Sequence, residues 1–205
     1  MTLWFRVRRG RVCSVVIVLL APALYAVGET AVVIPSVFGT PPARLPLALI
    51  VPLAVAITVA YGFTTGDPLL EEMAGRRLRG WDAAYVLGAA LGAAAVCILT
   101  ASWAESEWAL GAGRNALSYL GLVLLGRRVL GAHAAAMLPL GALLGGALLG
   151  AAPDGQPPWW AWLLVRAPDA GEAQRWIVSW IIAGTTLLLG VLTLFRRNPR
   201  AIADR

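Results

Sequence analysis

The sequence predicts an all-α, polytopic membrane protein: a single domain over 1–205, folded as a six-helix transmembrane bundle with both ends in the cytoplasm. Three observations predict it. The 205 residues are 59% hydrophobic and only 14% charged, where a soluble domain carries roughly 25% charge. The apolar residues come in long blocks, as a bilayer requires. The arginines fall between those blocks and sort to one side.

Residues 1–11 form a basic leader, MTLWFRVRRGR, which either lies on the cytoplasmic surface or only sets topology. The spans are expected at about 12–28, 46–65, 82–103, 108–126, 129–151 and 175–195. The first is expected to remain uncleaved, because further spans follow it. Residues 29–45, with Pro35, Gly39, Pro41 and Pro42, read as a loop. Pro46 suits a first helical turn, and Pro52 marks either a kink or a later start.

A short helix outside the bilayer is expected at about 67–80. Asp67 caps it, Glu71 and Glu72 sit early, and Arg76, Arg77 and Arg79 sit late, which complements the helix dipole. The fourth span is the most polar. Its clean apolar stretch, 115–126, is too short for about 30 Å of hydrocarbon at 1.5 Å per residue. It must therefore take in Arg114. That residue faces a substrate path, pairs with Glu105 or Glu107, or snorkels to the outer surface, and snorkelling is the favoured reading. Residues 157–165, PPWWAWLLV, are too few to cross and are expected as an outer interfacial element.

Orientation follows from arginine. On this layout the inner segments hold Arg6, Arg8, Arg9, Arg11, Arg76, Arg77, Arg79, Arg127, Arg128, Arg196, Arg197, Arg200 and Arg205. The outer side keeps Arg44, Arg114, Arg166 and Arg175. Most of the nine Trp fall near the expected span ends, as an interfacial belt does. Heavy Ala, Gly and Arg usage without any Lys points to a high-GC bacterial genome, and so to a multi-pass protein of the bacterial cytoplasmic (inner) membrane.

The same composition excludes chemistry. Without Lys there is no Walker A loop and no Schiff base. Cys13 and Cys97 both lie in apolar runs and read as core residues. One histidine and two separated cysteines give no metal constellation. The net charge of +6 is explained by membrane sidedness, with no nucleic acid implied. Glu71-Glu72-Met73-Ala74-Gly75-Arg76 matches EExxxR, a string that resembles the first motif of intramembrane CAAX-type proteases. The histidine motifs that must accompany it are missing, since His133 stands alone. Ser118 and His133 are the nearest pair for rhomboid-type proteolysis, yet no GxSG string exists. No catalytic residue and no cofactor are assigned to this chain.

The whole plan resembles the permease subunit of type-2 ATP-binding-cassette (ABC) exporters. The string RNALSYLGLVLLGRRVLG over 114–131 is similar to the fourth-span region of actinobacterial permeases of that kind. The resemblance implies that Asp67, Glu71, Glu72, Arg76, Arg77 and Arg79 dock a separate ATPase subunit, which supplies ATP. It implies that residues 157–165 line the exit, with Arg114, Trp159, Trp160 and Trp162 along the substrate path. It further implies a homodimer or paired permease in the lipid bilayer. The spans offer few polar groups to a hydrophilic substrate, so the expected cargo is amphipathic or lipid-like. Two other expectations stand beside it: a non-transporting membrane partner, such as an assembly or immunity factor, and a proton-coupled carrier, for which Asp82 is the one acidic candidate.

Overall fold

In the computed structural model of the chain the described residues are 7–35, 43–64, 68–149, 161–165 and 173–195; at 43, 68–77 and 132 the description covers the backbone alone. Helix accounts for 83% of the described residues. In chain order the elements are α1 (Gly10–Val27), β1 (Ala31–Ile34), β2 (Ala43–Pro46), a 3-10 turn at Leu47–Leu49, α2 (Leu53–Gly62), α3 (Pro68–Ala104) and α4 (Glu107–Leu130). There follow α5 (Ala132–Ala135), α6 (Leu138–Leu148), a second 3-10 turn at Trp162–Leu164 and α7 (Ala173–Phe195).

Three helical stretches are long and apolar enough to cross a membrane: α1, the Leu78–Ala104 part of α3, and α7. Leu47–Gly62 and His133–Leu148 are apolar but shorter. The helix α4 has the length, 24 residues, but not the hydropathy. It occupies the middle of the packing, against α2, α3, α5, α6, α7 and both 3-10 turns. The three long apolar helices each bury less than half of their span. Their other faces expose Val18, Leu91, Ile98, Ile181 and Leu188. Grease outside and polarity inside is the arrangement a hydrocarbon solvent favours.

Several local features differ from the sequence-based expectation. Residues 68–104 form one unbroken 37-residue helix, with no end at 80. Its only proline is Pro68, and isolated glycines such as Gly75 and Gly80 cost roughly 1 kcal/mol each without breaking a helix. Within the stretch expected as a loop, Ala31–Ile34 pairs antiparallel with Ala43–Pro46, Ala31 opposite Pro46 and Ile34 opposite Ala43. The β-branched run Val32-Val33-Ile34 favours that extended pairing. The fold is therefore helical with one small hairpin. Pro52 marks a later start rather than a kink: it caps α2, after the turn at Leu47–Leu49. The stretch expected as one span over 129–151 is interrupted. Gly131, at φ 82°, ends α4, and two short helices follow it. A positive φ costs glycine little, so a helix stops there readily.

The close crossing lies between α4 and α7. A Cβ placed on Gly121 would stand 2.5 Å from the carbonyl carbon of Thr186, and one on Gly190 would stand 2.9 Å from the Gly121 carbonyl oxygen. The two backbones touch, as small residues permit in membrane packing. The Gly88/Gly92 spacing plays no such part, because a Cβ on Gly88 would meet nothing within 4 Å.

Candidate functional site

Helix α4 carries four polar residues at i, i+1, i+4 and i+5, which places them on one face. These are Arg114, Asn115, Ser118 and Tyr119, and each is completely buried. Arg114 lies two turns into α4. It is turned inward, which replaces the snorkelling expected from the sequence. Its guanidinium meets acceptors from three parts of the chain. Nε and Nη2 donate to Oδ1 of Asn115 at 3.2 and 2.9 Å. Nη2 also donates to the Leu163 carbonyl at 3.0 Å. Nη1 donates to the Val165 carbonyl at 2.9 Å and to Ser179 Oγ at 3.0 Å. The Trp176 ring lies 5.3 Å from the guanidinium carbon, within range of a cation–π attraction.

Arginine has five N–H donors, and all five are used. None goes to a carboxylate. Neither Glu105 nor Glu107 reaches this cation, and among the described residues it has no acidic partner. Its neighbours complete the network. Asn115 Nδ2 donates to the Leu163 carbonyl at 2.9 Å and to Tyr119 Oη at 3.3 Å. Tyr119 Oη in turn donates to the Leu49 carbonyl at 2.7 Å. The Trp162 indole N–H donates to Ser118 Oγ at 3.4 Å. Ser179 Oγ donates to the Trp176 carbonyl at 2.6 Å. A single face of α4 thus pins the segment 161–165, the turn at Leu47–Leu49 and the start of α7.

The other end of the molecule holds a different arginine. Arg8, 1% exposed, grips Asp82 in a bidentate pair, Nε to Oδ1 at 3.0 Å and Nη2 to Oδ2 at 2.9 Å. Its Nη1 reaches the Gly62 carbonyl at 3.4 Å. The Phe63 ring lies 4.8 Å from Arg8 and 4.5 Å from Arg127, and Arg9 stands 4.4 Å over Tyr61. Gly62 is obligatory here, since a Cβ would come 2.6 Å from the Arg8 carbonyl oxygen. Arg9 adopts the left-handed conformation, φ 53°, a costly geometry for a side chain with a Cβ. It joins the inward-facing Arg8 to the start of α1.

The sequence-derived site residues fall into three groups. Arg114 and Trp162 come together, through Ser118 and the 161–165 segment. Glu71, Glu72, Arg76 and Arg77 lie on α3, but their side chains are outside the described residues. Asp67, Trp159 and Trp160 are outside them altogether. Arg79 is described: its Nη1 reaches the Phe195 carbonyl at 3.4 Å, tying α3 to the end of α7. Ser118 is buried in the α4 network, whereas His133 is exposed on α5, and no bond joins them. Both cysteines are buried and free. No group of three or more His, Cys, Asp or Glu positioned for a metal occurs among the described residues.

Sequence reading missed Asn115, Tyr119, Ser179 and the Arg8–Asp82 pair. The spacing of Arg114, Asn115, Ser118 and Tyr119 on one helical face was the available signal. The backbone acceptors at Leu49, Leu163 and Val165 had none, because any residue supplies a carbonyl. No family model, no curated protein and no solved structure matches this chain.

Proposed function

We propose that this chain is the permease subunit of an ABC-type exporter of a bacterial inner membrane. It crosses six times, keeps both termini in the cytosol, and moves an amphipathic or lipid-like cargo with a separate ATPase. The observation that carries this reading is the continuity of α3. Its 37 residues extend about 55 Å at 1.5 Å per residue, against about 30 Å of hydrocarbon. The surplus is the charged stretch 68–81. A rigid arm is thereby joined, without a hinge, to a span that packs on α1 and α4. A force applied to Glu71, Glu72, Arg76, Arg77 and Arg79 by a docked ATPase reaches the membrane helices directly. The arrangement of arginines supports the same sidedness. Arg8, Arg9, Arg79 and Arg127 gather at one end, while the hairpin and the 161–165 segment lie at the other.

The test is purification of the full chain with the ATPase encoded beside it. ATP hydrolysis by the complex should be stimulated by the chain, and the triple variant R76E/R77E/R79E should abolish that stimulation while leaving the helical content intact. If no ATPase co-purifies, and transport proceeds without ATP, the reading fails.

A second reading, a non-transporting membrane partner, is favoured by one observation. The Arg114 network is closed and saturated, with no N–H left over for a cargo in this conformation. The same triple variant separates the two, since such a partner has no ATPase to lose. A proton-coupled carrier has less support, because Asp82, the acid it would need, is held bidentate by Arg8.

A further inference from the structure

Among the described residues, the Arg114 network holds a full positive charge with only neutral acceptors around it. Hydrogen bonding alone does not call for that charge. Two of its five bonds go to the carbonyls of Leu163 and Val165, and a third bond from the same pocket, Asn115 Nδ2 to Leu163, goes there as well. The two bonds leave from the two terminal nitrogens, Nη1 and Nη2, the pair a fork-shaped guanidinium can offer to two oxygens of a phosphate or carboxylate. The other acceptors, Asn115 and Ser179, belong to long helices and stay in place.

From this we infer that Arg114, with Asn115, Ser118 and Ser179, is an occluded binding site for the anionic headgroup of an amphiphile. The segment 161–165 is its internal stand-in. When the segment leaves, the anion takes over the bonds of Leu163 and Val165 and adds the opposite charge that the pocket lacks. The exchange is favourable because a neutral carbonyl in low dielectric cannot offset a formal charge as an anion can. The surroundings suit an amphiphile. The Trp176 ring lies against the cation, Trp162 bonds Ser118 in the same network, and Leu163 and Val165, whose carbonyls the cation holds, are buried apolar residues. This deepens the permease reading and rests on it for the nature of the cargo, but the site can be tested without ATPase, ATP or transport.

The experiment uses the full chain in phosphatidylcholine nanodiscs, with C13S and C97S removing the two buried thiols and V165C placing one on the segment. The V165C substitution keeps the backbone carbonyl, and Val165 is buried, so a membrane-impermeant maleimide reports departure of the segment. Dodecyl phosphate should raise the labelling rate about five-fold or more. Neutral dodecyl maltoside and cationic dodecyltrimethylammonium should leave it unchanged. Inorganic phosphate and nanodiscs containing phosphatidylglycerol are run alongside. An increase with any of the three anions supports the site, and the most effective one names the source as cargo-like amphiphile, free anion or bilayer lipid. Equilibrium dialysis with radiolabelled dodecyl phosphate should find one saturable site per chain, kept in R44Q, weakened in R114K, which keeps the charge but not the fork, and lost in R114Q.

Equal binding by R114Q, or no anion-dependent change in labelling at V165C, overturns the proposal. If R114Q does not fold, the labelling series in the Arg114 background decides alone. Failure to recover an ATPase partner, with anion binding intact, would count against the transport reading and not against this site.

Discussion

The two ends of the molecule each bury an arginine, and they satisfy it in opposite ways. At one end Arg8 meets Asp82, charge to charge, in a fixed bidentate geometry. At the other Arg114 meets carbonyls, an amide, a hydroxyl and an indole face, and among the described residues no opposite charge. The first arrangement is a lock: it neutralises the charge and joins α3 to Arg8, two residues before α1. The second leaves the charge in place and spreads its hydrogen bonds over α4, α7 and the 161–165 segment. Removing one partner of a buried pair strands a charge, whereas removing a cation from neutral acceptors strands only dipoles. The two sites should therefore respond differently to the same kind of substitution.

The largest effect is expected at the paired end. D82N removes one partner of the buried bidentate pair, which costs about 3–5 kcal/mol. A loss of that size should show as a large fall in the thermal midpoint of the detergent-solubilised protein. The double variant R8M/D82L removes both charges and should recover most of the loss. If D82N alone is as stable as the parent, the pair is not the lock described. The next effect belongs to the crossing between the two sites. G121V forces α4 and α7 apart and should cost on the order of 1–3 kcal/mol. Because Ser179 moves with α7, amide exchange in 161–165 should rise while the Asp82 region stays protected.

R114Q should be milder than D82N, at about 1–3 kcal/mol, the penalty for one or two buried acceptors left without donors. A fall as steep as that of D82N would mean that an acidic partner had been removed, and the contrast between the ends would collapse. The smallest effect is expected at R79A. Its bond to the Phe195 carbonyl is long, 3.4 Å, and exposed, so stability should change by under about 1 kcal/mol. A larger change would give that contact a structural role beyond the one assigned here.

A good part of this is legible in the sequence. The three long apolar helices answer to long apolar runs in the sequence, because the length and composition of a single segment fix whether it can sit in lipid. Polarity also singled out the α4 region, where 115–126 alone was too short and Arg114 had to be drawn in. The error came in its direction. From sequence the cheap solution for a lone arginine near a helix end is to snorkel, and nothing in residues 108–126 reveals that residues 49, 163, 165 and 179 arrive with acceptors. The same limit hid the lock, since Arg8 and Asp82 are 74 positions apart. It also hid the close crossing: Gly88 and Gly92 have the familiar spacing within one helix, whereas Gly121 and Gly190 meet across two.

Taken by itself, the sequence determined the solvent of each segment. The apolar content of α1, α3 and α7, the clustering of arginine and the absence of lysine are properties of the chain read one window at a time. Only the tertiary structure decided which helix lies at the centre, that Arg114 turns inward under 161–165, and that Arg8 closes on Asp82. Those outcomes depend on groups distant in sequence meeting within about 3 Å, where hydrogen bonding falls off steeply with distance and angle, and no local pattern encodes such a meeting.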